Sequence, residues 1–403
     1  MQSTLTWPVE GSRRVPAWIY TDASIYELEQ ERIFGGRSWN YVALTAEVPR
    51  PGDFLQSYVG ETPVVVVRDQ KSRIRVFVNR CTHRGSQFCL EPRGNTGMFT
   101  CPYHQWSFDL EGALKGIPFR RGIRGKGGMS ECFDPSHHGL EQFEVAVRNG
   151  VIFASYAKDV EPLEDYLGPT ILSYFDRVCD GRPLRVIGTM RHCVHANWKL
   201  QIENLKDTIH AALLHAFFVR FGIWRGDQST EVKVDQRGRS SVLVSTASFR
   251  PVSDAGDEAV TPDFDLEDKR MIAYEREYDR STGAILTVWP NLVILQQLNL
   301  LAMRHVRPAG PNACIKSWTF FGYETDTPEL RKKRLMQANL LGPSGLVTID
   351  DNEVLAFAQA GAAASATANS VLEAGEGSGD ADHMITESAI RGFYDYYRGI
   401  MDL

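Results

Sequence analysis

Two short segments constrain this chain more than anything else in it. "CTHRG" at residues 81–85 and "CPYHQW" at 101–106 each carry one cysteine and one histidine, Cys81 with His83 and Cys101 with His104. Around them, "WNYVALTAEV", "DFLQSYVG", "TPVVVVRDQ", "RIRVFVNR", "GMFTCPYHQWSFDLEG" and "FEVAVRNGVIFASY" are short runs rich in β-branched and aromatic residues, cut by Pro, Gly and Asp turns. Residues 38–155 therefore read as a small antiparallel β domain with both Cys/His pairs at hairpin tips.

A structural zinc site accepts two cysteines and two histidines, but its usual layout groups cysteines on one turn and histidines on another. Here each loop offers one of each, with 17 residues between His83 and Cys101. A Rieske-type [2Fe–2S] cluster fits that arrangement, because two thiolates hold one iron and two imidazoles the other. Two tips clamping such a cluster from opposite sides must each reach both irons. Gly85 and Pro102 suit tight ligand loops, and Trp106 is placed to shield the cluster. Cys89, Cys132, Cys179, Cys193 and Cys314 read as ordinary buried or half-buried thiols.

A single-electron carrier needs only one small domain, and some 250 of the 403 residues remain beyond it. "PLEDYLGPTILSYFDRVC" returns to helical spacing, and strands are expected at 231–249, 284–295, 298–307 and 313–324 as one larger antiparallel sheet. "TPELRKKRLMQANLLGPSGLVTIDDNEVLAFAQAG" reads as a long helical region broken near GPSG, and the Gly/Ala/Ser-rich 361–382 as a mobile loop. "SIYELEQERIF" at 24–34 reads as a helix opened by a Ser cap, and "ITESAIRGFYDYYRGIM" as a closing helix. The fold class is α+β: an antiparallel β domain at 38–155, and a larger domain of 1–37 and 156–403 with an antiparallel sheet flanked by helices.

The larger part contains "ENLKDTIHAALLH". On a helix Asp207 and His210 share a face at i,i+3, whereas His215 lies about 140° round from His210. Both histidines reach one metal only if the helix breaks or widens locally, as in a π-bulge. Two histidines and a carboxylate on one side, with positions left open, is how mononuclear iron that activates O2 is commonly held. The residues leave open whether Asp350 or Asp351 in "GPSGLVTIDDNEV" is the carboxylate.

Together, C-x-H-R-G…C-x-Y-H-x-W and D-x2-H-x4-H resemble the large (α) subunit of the Rieske non-haem iron aromatic-ring-hydroxylating oxygenases over essentially the whole chain. The resemblance implies a [2Fe–2S] cluster on Cys81, His83, Cys101 and His104, and mononuclear Fe(II) on His210, His215 and Asp351. It makes Asp207 a bridge between His210 and His104 of the partner subunit. It further implies O2 as co-substrate and NAD(P)H electrons arriving through a ferredoxin reductase and ferredoxin. A small β subunit in an α3β3 heterohexamer is implied as well.

"CPYHQWSFDLEGALKGIPFRRGI", "LGPTILSYFDRV", "RLMQANLLGPSG" and "TESAIRGFYDYYRGIM" look most like the branch acting on benzoate-type acids. Salicylate 5-hydroxylases come first, with anthranilate, ortho-halobenzoate and terephthalate dioxygenases nearby. The implied reaction is hydroxylation of an aromatic carboxylate, foremost salicylate to gentisate; the alternatives are 1,2-dioxygenation of the other acids and, of another class, a stand-alone electron carrier. An aromatic acid calls for a cation in an apolar pocket, and arginine binds carboxylate bidentately. Arg304 and Arg391 match the positions used for this in the terephthalate branch, with Ser245 adding a hydrogen bond and Leu205, Gln296 and Gln297 as pocket lining.

The net charge of −6 leaves no broad basic footprint for nucleic acid. No apolar run is long enough for a bilayer. "MQSTLTWPVEGSRRVP" lacks a secretory h-region, so a reducing, cytoplasmic setting is expected.

Overall fold

The alternating runs of the first third of the chain do form short antiparallel strands. The computed structural model describes residues 5–224, 228–246, 267–278, 283–365 and 367–403. It divides into two units, Phe34–Val160, and Met1–Ile33 with Glu161–Leu403.

The smaller unit is built on three antiparallel sheets. One runs Ile74–Val78, Thr62–Arg68, Asp53–Val59, Arg93–Asn95; a second Glu144–Arg148, Val151–Ser155, Asn40–Leu44; a third Phe99–Thr100, Ser107–Phe108, Leu114–Gly116. The unbroken run Val64–Val67 is fully buried on both faces, which is why its strand does not alternate. Phe54, Val65, Phe77, Phe88, Phe99 and Phe108 form one cluster that includes Cys81 and Cys101.

The larger unit carries a seven-stranded antiparallel sheet. Its order is Leu184–Val194, Cys314–Tyr323, Leu300–Pro308, Leu292–Gln297, Gly283–Val288, Ser241–Thr246, Ser229–Val234. The expected strand at 231–249 is thus two strands of a hairpin, turning at Gly238 (φ +81), where a Cβ would lie 2.7 Å from Gly392 O; residues 247–249 lie outside the described residues. The expected strand at 284–295 is likewise two. Eight helices occur among the described residues: α1 (Ala23–Glu29), α2 (Leu163–Val178), α3 (Trp198–Asn204), α4 (His210–Leu213), α5 (Ala216–Arg220), α6 (Pro328–Leu341), α7 (Leu346–Ala364) and α8 (Ser388–Met401). None is long and apolar enough to cross a membrane.

Several local expectations are corrected. Asp22, not Ser24, caps α1, accepting from the Ser24 and Ile25 backbone N–H groups, and Gln30–Phe34 continues it as a π-helical turn. Residues 361–382 are not a free loop. α7 runs on to Ala364, Asn369–Val371 pairs with Arg14–Pro16, and Val232 and Ala381 exchange backbone hydrogen bonds. Composition suggested mobility because the groups that fix this segment come from elsewhere in the chain. Cys132 and Cys193 are exposed, while the other five cysteines are buried. α8 buries Ile390, Phe393, Tyr394, Tyr397 and Met401, the spacing of a helix packed on one face.

Candidate metal centres

In the smaller unit the two Cys/His loops have one backbone design. The Gly85 N–H donates to Cys81 O at 2.9 Å and the Gln105 N–H to Cys101 O at 3.0 Å. The cysteine N–H groups donate to Ser86 O and Trp106 O, both at 2.8 Å. The fifth residue of each loop takes positive φ, +73° at Gly85 and +59° at Gln105. Asn79 anchors the first loop, accepting from Phe88 N and Cys89 N and donating to Cys89 O.

The loops bring their four side chains together. The His83 and His104 rings lie 4.6 Å apart, and the buried Cys81 and Cys101 thiols face each other unbridged. Trp106 stacks on His83 at 4.6 Å, nearly parallel. Burial, with His104 and Arg84 nearby, lowers the His83 pKa, and its Nδ1 is buried without a hydrogen-bond partner. Two thiols, two imidazoles and an orphaned ring nitrogen fit a cluster that takes two sulfur and two nitrogen ligands.

In the larger unit the segment around "ENLKDTIHAALLH" is not one helix but three pieces. α3 ends at Asn204; Asp207 Oδ1 accepts from the Ile209 N–H at 2.7 Å in an Asx-turn, and α4 then starts at His210. Asp207 and His210 are therefore not on one helix face. Asp207 precedes the helix, with Oδ2 3.2 Å from His210 Nδ1. His215 sits at φ −85°, ψ +67°, and the Ala216 N–H donates to Leu214 O, an inverse γ-turn between α4 and α5. This break, not a π-bulge, swings His215 back beside His210.

α7 supplies the carboxylates. Asp351 Oδ1 lies 3.3 Å from His215 Nε2 and 3.6 Å from His210 Nε2. One ligand atom from each of the three residues falls within 4.8 Å of the others. Burial opposes ionisation of Asp351, but the neighbouring His215, Lys316 and His210 outweigh it and hold the carboxyl at about 2. Two Nε2 atoms and an ionised oxygen converging from three directions fit a metal that takes two histidines and one carboxylate. Asp350 points elsewhere, at His215 Nδ1.

A cavity of about 130 Å³ opens beside these groups. Leu205, Phe218, Ile285 and Leu298 give it apolar walls, and Ser245 and Gln297 also line it. Arg304 lines it, 6% exposed, with its guanidinium 4.3 Å from the Trp318 ring and Nε lacking a hydrogen-bond partner. Burial lowers its pKa to about 10, well above neutrality.

Two expected pocket residues are elsewhere. Arg391 does not line the cavity: its guanidinium donates to the carbonyls of Leu372, Ala374, Gly375 and Gly377, tying down the chain before α8. Gln296 points to the far side of the sheet, accepting from Arg177 and donating to Leu298 O, while the pleat turns Gln297 inward. Two groups were missed, half-buried Asn204 and buried Lys316. Asn204 donates to Asp351 Oδ1 at 3.1 Å, and Lys316 donates to Gln201 Oε1 at 3.0 Å. A lysine inside the apolar strand "ACIKSWTFF" was the available signal for Lys316.

Comparison with known proteins places these geometries in context. Residues 38–129 match the family model for the Rieske [2Fe-2S] domain, and residues 181–403 that for the ring hydroxylating alpha subunit (catalytic domain). The large oxygenase component of salicylate 5-hydroxylase from Ralstonia sp is 44% identical, covering 98% of this chain and 96% of that protein. The anthranilate 1,2-dioxygenase large subunit from Burkholderia cepacia is 42% identical, covering 99% and 96%. Naphthalene 1,2-dioxygenase from Rhodococcus sp. bound to indole superposes with a TM-score of 0.80 at 25% identity, covering 98% of this chain and 95% of that one.

Proposed function

The chain belongs to the large (α) subunits of the Rieske non-haem iron ring-hydroxylating oxygenases, and from that membership we propose that it hydroxylates a one-ring aromatic carboxylate, salicylate to gentisate before others. The observation that carries the carboxylate is Arg304, a buried cation with an unpaired Nε in a cavity whose walls include Leu205, Phe218, Ile285 and Leu298. A cavity of about 130 Å³ suits one ring, since an engineered apolar cavity of about 150 Å³ takes benzene.

Cys81, His83, Cys101 and His104 hold the [2Fe–2S] cluster, and His210, His215 and Asp351 the mononuclear iron. When bound, these groups supply single-electron relay and O2 activation. The protein's own part is placement. Arg304 takes the substrate carboxylate, Ser245 and Gln297 meet polar substituents, and Leu205, Phe218 and Leu298 exclude water from the ring. Asp207 orients His210 through Nδ1 and bridges to His104 of the partner subunit. Electrons come from NAD(P)H through a reductase and ferredoxin, in the cytoplasm, to an α3β3 assembly.

Anthranilate, 2-halobenzoate or terephthalate 1,2-dioxygenation is the second reading, favoured by the 42% identity to an anthranilate 1,2-dioxygenase large subunit. Product identification separates the two. The chain, with a β subunit, ferredoxin and reductase, is given salicylate, anthranilate, 2-chlorobenzoate and terephthalate under O2. Gentisate from salicylate is the expected product. Catechol from anthranilate or 2-chlorobenzoate would replace the salicylate assignment. No product from any acid, despite cluster reduction by NAD(P)H, would remove the carboxylate role of Arg304.

A further inference from the structure

The three groups that converge beside the cavity do not account for Asp350. It is the residue before Asp351 on α7, yet the two side chains address opposite ends of one imidazole. Asp351 Oδ1 lies 3.3 Å from His215 Nε2, and Asp350 Oδ2 lies 3.2 Å from His215 Nδ1. His215 is 2% exposed, whereas Asp350 is 36% exposed at its side chain. A buried ring is thus gripped from outside by a carboxylate that solvent still reaches.

We infer that Asp350 is a positioning residue for the iron centre. It accepts the Nδ1–H of His215, which fixes the ring's orientation and leaves Nε2 as the lone-pair nitrogen facing Asp351. Neutral imidazole carries one N–H, so an acceptor at Nδ1 decides which nitrogen remains free to ligate. Without it, the inverse γ-turn at His215 places the ring but not its tautomer, and the tautomer with its N–H on Nε2, toward the metal, is no longer disfavoured. Asp207 Oδ2 lies at the same distance, 3.2 Å, from His210 Nδ1, but outside hydrogen-bond geometry. Of the two imidazoles, His215 is the one whose Nδ1 hydrogen-bonds a carboxylate. Asp207 precedes α4 and has Oδ1 engaged by the Ile209 N–H, whereas Asp350 reaches His215 from a separate helix. Outer partners of this kind typically contribute a factor of about 10–100 in metal affinity.

The inference rests on the three-ligand assignment, and Fe(II) binding tests the two separately. Full-length protein carrying its cluster is stripped of mononuclear iron with a mild chelator. Fe(II) affinity is then measured for the unaltered chain, Asp350→Ala, Asp350→Asn, Asp351→Ala and Glu353→Ala. Far-UV circular dichroism and the thermal unfolding midpoint report that each variant is folded. Asp350→Ala is expected to bind Fe(II) about 10–100-fold more weakly. Asp350→Asn, whose amide oxygen still accepts from Nδ1–H, should recover most of that loss, and Glu353→Ala, exposed on the same helix, should bind like the unaltered chain. Unchanged affinity in Asp350→Ala, with iron lost in Asp351→Ala, overturns the positioning role and leaves the ligand assignment standing. A loss in Asp350→Asn as large as in Asp350→Ala overturns the tautomer argument. Unchanged affinity in Asp351→Ala overturns the three-ligand assignment itself.

Discussion

The two candidate metal centres are built in opposite ways. In the smaller unit, the loops at 81–86 and 101–106 close on themselves through the same pair of backbone hydrogen bonds, so each holds its cysteine and histidine almost independently of the rest of the chain. In the larger unit, His210 and His215 come from either side of a helix break, and Asp351 arrives on α7, 136 positions after His215. A centre made of closed local loops is set by spacing. A centre made of distant segments is set by how helices pack, and it fails whenever one segment moves.

The largest consequence of that difference concerns the ligands themselves. Asp351→Ala should abolish hydroxylation, a loss exceeding the roughly 100-fold that even outer partners of metal ligands cause, while leaving cluster absorption and its reduction by NAD(P)H unchanged. Metal analysis alongside a hydroxylation assay checks this, and loss of cluster signal would mean that the centres are not independently built. Next in size is Arg304→Leu. A hydrogen bond to a charged group contributes about 1.5–3 kcal/mol, so kcat/KM for the aromatic acid should fall about 10–150-fold. A neutral analogue without the carboxylate should lose almost nothing. Equal losses for both substrates would show that Arg304 packs against Trp318 and does not read charge.

This contrast also explains what the sequence could and could not reveal. Alternation and turn residues located the strands of the smaller unit, and one cysteine and one histidine per tip located its centre, because those signals are local. Asp351 could be separated from Asp350 only by resemblance, since adjacent carboxylates on a helix differ by about 100° in direction and nothing in "TIDDNEV" states which direction faces His215. The structure gives the two aspartates separate nitrogens of one ring. Arg391 and Gln296 failed for the same reason. An arginine on an amphipathic helix reads equally as a pocket cation or a carbonyl clamp, and the carbonyls it clamps belong to a Gly-rich stretch whose composition suggests disorder. Gln296 and Gln297 are adjacent on a strand, and the residues alone do not fix which side of the pleat faces the cavity.

Arg391 and Arg304 can then be set against each other as two buried arginines with different work. Truncating Arg391 to alanine leaves four carbonyls without their donors. At about 1 kcal/mol for each hydrogen bond, partly regained through water, the cost is about 2–4 kcal/mol of stability. Thermal unfolding should show a lower Tm for Arg391→Ala, with KM for the acid unchanged in the protein that remains folded. A raised KM with unaltered Tm would return Arg391 to the pocket.

The smallest expected effects test whether the loops of the smaller unit are as alike as their hydrogen bonds suggest. Both place their fifth residue at positive φ, but one uses glycine and the other glutamine. Gly85→Ala forces a side chain into the left-handed region and brings its Cβ within 3.3 Å of Arg80 Nε, costing about 1 kcal/mol or more. Gln105→Gly relieves the same strain, offset in part by the greater chain entropy that glycine loses on folding, for a net gain of about 0.5 kcal/mol. Opposite signs in unfolding midpoints, at equal cluster content, would establish that the loops share one backbone constraint met by different residues. A destabilised Gln105→Gly would instead mean that the glutamine side chain, which donates to Pro102 O at 3.4 Å, stabilises the second loop by more than its backbone strain costs.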